Sequence, residues 1–215
     1  PVENVFARPD TLDAAEAAAL SVSYLTAFRM VFTKARVQPG ETVLIIGTGG
    51  TVSLAALQLV KGLGARAIVT SRDADKLARA AALGADGVID SSREDIARAA
   101  LALTGGRGVD VVIENVGEAV WSAALKALVR GGRIVTCGAT SGDAPSADLR
   151  RLFIRQLSVL GSTHGTFEEF RALIALAARG GLKPVIDRRF ALEEAHQALD
   201  YLESGRQFGK IALEI

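Results

Sequence analysis

The turn Gly47-Thr48-Gly49-Gly50-Thr51-Val52-Ser53 follows the apolar run Thr42–Ile46 and opens a helical pattern over Val52–Leu63. Glycines at such a point let the main chain turn tightly and let a ligand approach the backbone closely. The helix beyond presents unpaired N–H groups and the positive end of its dipole. These features make a seat for a phosphate or pyrophosphate, with Gly47, Gly49, Gly50, Thr51 and Val52 as its residues. Gly47 and Gly49 form a G-x-G pair, but the third glycine is displaced: Gly50 comes early, and Ser53 stands where some versions of the motif carry glycine. A plain β-to-α turn is the competing reading. The position of the turn inside a longer β/α alternation weighs against it.

About twenty residues on, a dinucleotide site shows which cofactor it prefers. An Asp or Glu there would accept hydrogen bonds from the adenosine ribose. The sequence instead reads Val69-Thr70-Ser71-Arg72-Asp73-Ala74-Asp75-Lys76. Hydroxyls and the cations Arg72 and Lys76 suit a 2′-phosphate, which an acid at position 71 would repel. NADP(H) is therefore favoured, with NAD(H) as the alternative. Asp73 also reads as a helix cap and Lys76 as part of a solvated face.

The elements that must hold these residues follow from periodicity. Strands are expected at Thr42–Ile46, Ala67–Thr70, Gly87–Ile89, Val109–Ile113, Arg133–Cys137 and Ser158–Gly161. Helices are expected at Val52–Leu63, Ala74–Leu83, Glu94–Leu103, Ala119–Val129 and Ala147–Gln156. Strict alternation implies a parallel sheet covered on both faces, and six strands suit the doubly wound Rossmann fold. A helix over Asp13–Ala35, broken near Ser21–Ser23, precedes it. The tail reads as helix Phe167–Ala178, segment Pro184–Phe190, helix Leu192–Leu202 and strand Lys210–Ile215. Its two strands have no place in a finished six-stranded sheet and look like pieces of another sheet.

Composition narrows the function classes. With 49% hydrophobic and 23% charged residues the chain reads as an ordinary globule. The 25 basic and 24 acidic residues are interspersed, which argues against nucleic-acid or membrane-surface partners. No apolar run reaches the 18 or so residues of a membrane span, and no leader precedes the fold, so a cytoplasmic protein is expected. Cys137 is the single cysteine, which rules out an internal disulfide and fits a reducing compartment. As a nucleophile it lacks a visible base; a small buried hydrophobe is the plainer reading. Ser162-Thr163-His164 lacks the spacing of a nucleophile elbow, and Gly205-Arg206-Gln207-Phe208-Gly209-Lys210 lacks that of a triphosphate loop. His164 has no partner motif, and His196 lies on the tail helix among acids and reads as structural.

Several segments together resemble the medium-chain dehydrogenase/reductase superfamily. They are Leu25-Thr26-Ala27, Val43–Ser53, Gly131–Thr140, Leu160-Gly161-Ser162-Thr163, Lys183–Asp187 and Phe208-Gly209-Lys210. Within it they are most similar to the zinc-type alcohol dehydrogenase-like and quinone oxidoreductase branches. The resemblance implies an enzyme that moves hydride between NAD(P)H and an alcohol, carbonyl, quinone or enone. It also implies an N-terminal GroES-like catalytic domain that this chain lacks, consistent with a chain that opens on Pro1. Residues 1–40 would then be interdomain helices, 41–165 the dinucleotide-binding domain, and 166–215 a return segment belonging to the catalytic domain. The catalytic residues are expected in the missing domain.

By the same resemblance, Thr26 should pack beside the nicotinamide. Asn115 and Gly117 should pass near the cofactor, and Cys137, Gly138, Ala139, Thr163 and His164 should border the nicotinamide and its carboxamide. Gly209 and Lys210 should approach the phosphates. Members with zinc can place a cysteine ligand near the position of Val22, which cannot ligate, so any zinc would come from the missing domain. Ser91 replaces a tyrosine found on the adenine side in some members. The resemblance further implies a homodimer or larger homo-oligomer formed through Ser158–Gly161. Apolar Val185, Ile186, Ile211, Leu213 and Ile215 are expected to leave an exposed edge. The alternative function is a non-catalytic dinucleotide-binding or interaction module.

Overall fold

A computed structural model describes residues 2–215. Its centre is a parallel sheet of β1 (Thr42–Ile45), β2 (Arg66–Ser71), β3 (Gly87–Asp90), β4 (Val109–Glu114), β5 (Leu128–Thr136) and β6 (Ser158–Gly161), in the order β3-β2-β1-β4-β5-β6. Successive side chains of a strand point to opposite faces. Val43 and Ile45 accordingly enter one core and Leu44 and Ile46 the other. Both faces are covered, which is why β1 reads as an unbroken apolar run. On one side lie α3 (Thr51–Gly62), α4 (Ala74–Ala82) and α8 (Phe167–Ala178); on the other lie α5 (Ile96–Leu103) and α6 (Glu118–Ala127). Strand order reverses between β1 and β4, and the crevice at their carboxyl ends is where an open α/β sheet receives ligands.

Four local expectations are corrected. The first helix is not broken near Ser21–Ser23: α1 (Ala14–Ala19) runs into a π-helical turn, Leu20–Tyr24, then α2 (Leu25–Phe28) and a second π-helical turn, Arg29–Lys34. The extra residue in each turn is absorbed by widening the helix. β5 begins at Leu128, five residues before Arg133, and its register against β4 shifts between Val109 and Val111. The shift accommodates Gly131-Gly132, which removes Leu128 and Val129 from α6. α7 (Leu149–Arg155) is shorter than expected because Asp148, at φ +43°, caps it by accepting from the Arg151 N–H. Leu192–Glu194 is a separate 3-10 turn before α9 (Ala195–Glu203).

The tail strands do lie outside the main sheet. β7 (Ile186–Ala191) and β8 (Lys210–Glu214) pair with each other in parallel, joined by α9. They are not left loose. Val185 N–H donates to Tyr24 Oη at 2.8 Å, and Arg79 on α4 pairs with Asp187 at 2.7 Å. Arg79 also stacks over Phe208, itself buried. Val185, Ile186 and Ile211 are half-buried rather than bare, while Leu213 and Ile215 are exposed. Beside them an open groove of about 700 Å³ runs between α1 and β8. Among the described residues no helix is long and apolar enough to cross a membrane.

Candidate functional site

The glycine turn is held from below by β2. Thr48 N–H donates to the Thr70 carbonyl at 2.7 Å, and Gly47 N–H donates to Thr70 Oγ1 at 3.2 Å. Ser53, buried in the first turn of α3, donates to the carbonyls of Gly47 and Gly50 at 2.8 and 2.9 Å. This explains a hydroxyl where a glycine is common: it ties the turn shut. Gly49 sits at φ +111°, and a Cβ there would meet Lys76 Cδ at 2.6 Å. Gly50 caps α3 with extended backbone and no side-chain bond, so the first-turn N–H groups at Thr51 and Val52 keep no side-chain partner.

A second support comes from β4 and was missed in the sequence. Glu114 is completely buried, and its Oε1 accepts from the Val116 N–H and, at 2.6 Å, from the Gly117 N–H. Its Oε2 accepts from Thr136 Oγ1 at 2.9 Å. One carboxylate thus fixes the loop after β4 and ties it to β5. The available signal was an acid closing the apolar run Val111-Val112-Ile113. Glu114 also acts on Cys137, whose thiol is pushed up to about 11 by burial and by the nearby carboxylate. Cys137 is a protonated thiol at neutral pH, which removes it as a nucleophile.

Between these supports lies a cleft of about 650 Å³. Of the residues expected from sequence, Gly47, Gly50, Ser71, Arg72 and Lys76 line it together. Arg72 is exposed; Asp73 spends its carboxylate on capping α4, accepting from the Asp75 and Lys76 N–H groups. Lys76 Nζ donates to the Gly205 carbonyl. Asn115, Gly117, Gly138 and Ala139 meet at the neighbouring strand ends: a Cβ on Gly138 would lie 2.9 Å from the Asn115 carbonyl, and one on Gly117 3.0 Å from Ala139 Cα. Gly209 reaches the turn from the tail, its N–H donating to the Gly49 carbonyl at 3.0 Å. Lys210 lines the α1–β8 groove instead.

Thr26 and His164 lie away from the cleft lining. Thr26 is buried and donates to the Val22 carbonyl at 2.8 Å. His164 is exposed, and its neighbour Gly165 packs against Leu25, the residue before Thr26. Thr163 lines a separate recess. Sequence reading gave no cofactor role to Thr48, Thr140, Ser141, Ser204 or Gly205, which also line the cleft. The Thr48 hydroxyl is buried with no partner among the described residues. Buried hydroxyls are nearly always bonded, so an unpaired one in a glycine turn fits a ligand with oxygen acceptors. The cleft therefore suits a dinucleotide.

Residues 51–179 match the family model for zinc-binding dehydrogenases. The chain belongs to that family. Its place is thus within the medium-chain dehydrogenase/reductase superfamily, and relatives agree. A quinone oxidoreductase-like protein 2 homolog from Nematostella vectensis is 32% identical over 95% of this chain and 59% of its own length. The crystal structure of an NAD-dependent alcohol dehydrogenase superposes with a TM-score of 0.94 at 39% identity, covering all of this chain and 63% of that one. A 2-octenoyl-CoA carboxylase reductase in complex with NADP and 2-octenoyl-CoA gives 0.90 at 29% identity, covering 98% and 52%. The chain thus spans little more than half to three fifths of these relatives. Zinc does not fit what is here: among the described residues no group of three His, Cys, Asp or Glu side chains could hold a metal ion.

Proposed function

We propose that this chain is the cofactor-binding half of an oxidoreductase that prefers NADP(H) and transfers hydride to or from an alcohol, carbonyl, quinone or enone. The observation that carries the cofactor choice is the end of β2, where Ser71 and exposed Arg72 border the cleft and the one acid among the cleft-lining residues, Asp73, is engaged as a helix cap. The related carboxylase reductase solved with NADP supports it; the related NAD-dependent alcohol dehydrogenase represents the alternative.

In this reading Gly47, Gly49, Gly50, Thr51 and Val52 hold the pyrophosphate with main-chain N–H groups, and the Thr48 hydroxyl gains its missing acceptor. Ser71, Arg72 and Lys76 bind the 2′-phosphate. Asn115, Gly117, Cys137, Gly138, Ala139, Thr163, His164 and Thr26 border the nicotinamide end, and Gly209 backs the turn. When bound, the dinucleotide supplies or accepts the hydride. The chain's contribution is to fix its geometry, since transfer demands a substrate held at near-attack distance. The groups that would hold the substrate are assigned to a GroES-like domain outside these residues, with 166–215 as its return segment. The protein is proposed to dimerise through β6, whose outer edge is unpaired.

Calorimetric titration of the chain with NADPH and NADH tests the choice. Tighter binding of NADPH that is lost in Arg72→Ala is the expected result. Equal affinities, or a preference for NADH that survives the substitution, would overturn it.

A further inference from the structure

At the carboxyl end of β6 a recess of about 260 Å³ is lined by Arg29, Lys34, Gly161, Ser162 and Thr163. None of these residues lines the dinucleotide cleft. The recess joins the second π-helical turn of the N-terminal helix to the residues leaving the sheet.

Its lining side chains favour an acceptor. The Arg29 guanidinium and the Lys34 ammonium can only donate, the hydroxyls of Ser162 and Thr163 can donate as well as accept, and no lining residue carries a carboxylate. Arg29 is held in place, with Nη1 donating to Glu169 Oε2 at 2.9 Å. Glu169 is fixed in turn by Thr33 Oγ1 at 2.5 Å and by the Thr166 N–H at 2.7 Å. Yet Arg29 Nε and Ser162 Oγ are buried atoms with no hydrogen-bond partner among the described residues. Buried donors are nearly always paired, and two orphans bordering one recess mark where an acceptor fits. Glu169 balances the charge of Arg29, which leaves half-buried Lys34 to supply the net positive charge.

We propose that this recess is an oxyanion site for a carboxylate or phosphate group, separate from the dinucleotide cleft. Arg29, oriented by Glu169, offers a fixed planar donor; Lys34 supplies a mobile charge, and Ser162 a short hydroxyl arm. The site shares Thr163 with the proposed nicotinamide end, but it does not depend on which dinucleotide binds.

Proton–nitrogen NMR of the labelled chain tests it by titration with inorganic phosphate, with acetate, and with chloride at matched ionic strength. Saturable movement of the Ser162 and Thr163 amides is expected with phosphate, acetate or both, but not with chloride. Comparison of the two anions separates a phosphate site from a carboxylate site. Lys34→Gln should weaken that binding roughly tenfold, the effect of losing one charge-assisted bond. Ser162→Ala should weaken it while leaving the Arg29–Glu169 pair intact. Amides of Gly47–Thr51 report separately on the cleft, so phosphate bound there is not mistaken for this site. Shifts at Ser162 and Thr163 that follow ionic strength alone would overturn the proposal. So would shifts that survive Lys34→Gln unchanged, or phosphate that moves only the Gly47–Thr51 amides.

Discussion

Arg72 and Lys76 both border the cleft, but they differ in what they are free to do. Arg72 is exposed beside Ser71, whereas Lys76 lies over Gly49 and gives its ammonium to the Gly205 carbonyl. Arg72→Ala should therefore reduce NADPH affinity by roughly tenfold or more, as expected for one charge-assisted contact, and leave NADH nearly unchanged. Lys76→Ala should weaken both dinucleotides, because it also frees the tail loop. Calorimetry with the two cofactors reads both effects, and identical losses in the two variants would contradict this division. Cys137 gives a second expectation. Its thiol titrates at about 11, well above the usual thiol range, so below that pH the unreactive protonated form dominates. Iodoacetamide labelling should be slow at pH 7 and rise through pH 10 without levelling; a plateau near pH 8.5 would mean the thiol is not buried as described.

At the scale of elements, Glu114 is the test of how β4 holds its loop. Glu114→Ala leaves the Val116 and Gly117 N–H groups without their acceptor and the Thr136 hydroxyl with only the Gly138 carbonyl, at about 1–3 kcal/mol for a buried group left unpaired. Urea unfolding should show that loss, and Glu114→Gln should restore most of it by keeping one carbonyl oxygen in place. The same region marks the limit of sequence reading. Every strand of the main sheet and its order in the alternation was legible: the central strands, buried on both faces, must be short apolar runs closed by turn residues, and the more exposed edge strands β3 and β6 were placed by the alternation itself. The glycine seat was legible for the same reason. Glu114 was not, since nothing in an acid at a strand end says that three donors converge on it. The π-helical turns at Leu20–Tyr24 and Arg29–Lys34 were read as a break or not at all, because widening a helix by one residue has no residue signature. The pairing of β7 with β8 was hidden too: each strand is amphipathic, and the sequence does not reveal that its partner lies just across α9.

For the whole molecule, the exposed margin is the informative surface. β6 has a neighbour on one side only, and Val159 on it is 43% exposed, with Phe153 of α7 nearby in sequence at 71%. A dimer joined through β6 is expected by light scattering over a concentration series, and Val159→Lys should shift it toward monomer. A wild-type chain that stays monomeric throughout would sink the proposal. Acid offers a separate probe of the tail. Burial would raise the Asp187 carboxyl, but hydrogen bonds from Arg79 and Tyr201 and the Arg79 charge outweigh it and hold the group below the ordinary carboxylate range. A depressed carboxylate stabilises the fold above its unfolded pKa and ceases to do so as pH falls through the folded one. Tail amides in β7 and β8 should thus exchange faster with hydrogen below about pH 4, with the main sheet still protected; uniform protection loss would contradict this.

The bond from the Gly209 N–H to the Gly49 carbonyl also bears on the order in which the protein is made. During synthesis the glycine turn leaves the ribosome long before the residue that backs it. Until the tail emerges, the Gly49 carbonyl of a growing chain lacks the N–H that backs it. Ribosome-arrested chains whose residues after Ser204 are still inside the exit tunnel should therefore capture dinucleotide weakly, and chains carrying a linker long enough to bring Ile215 out of the tunnel should capture it more strongly, making cofactor capture a late checkpoint on translation.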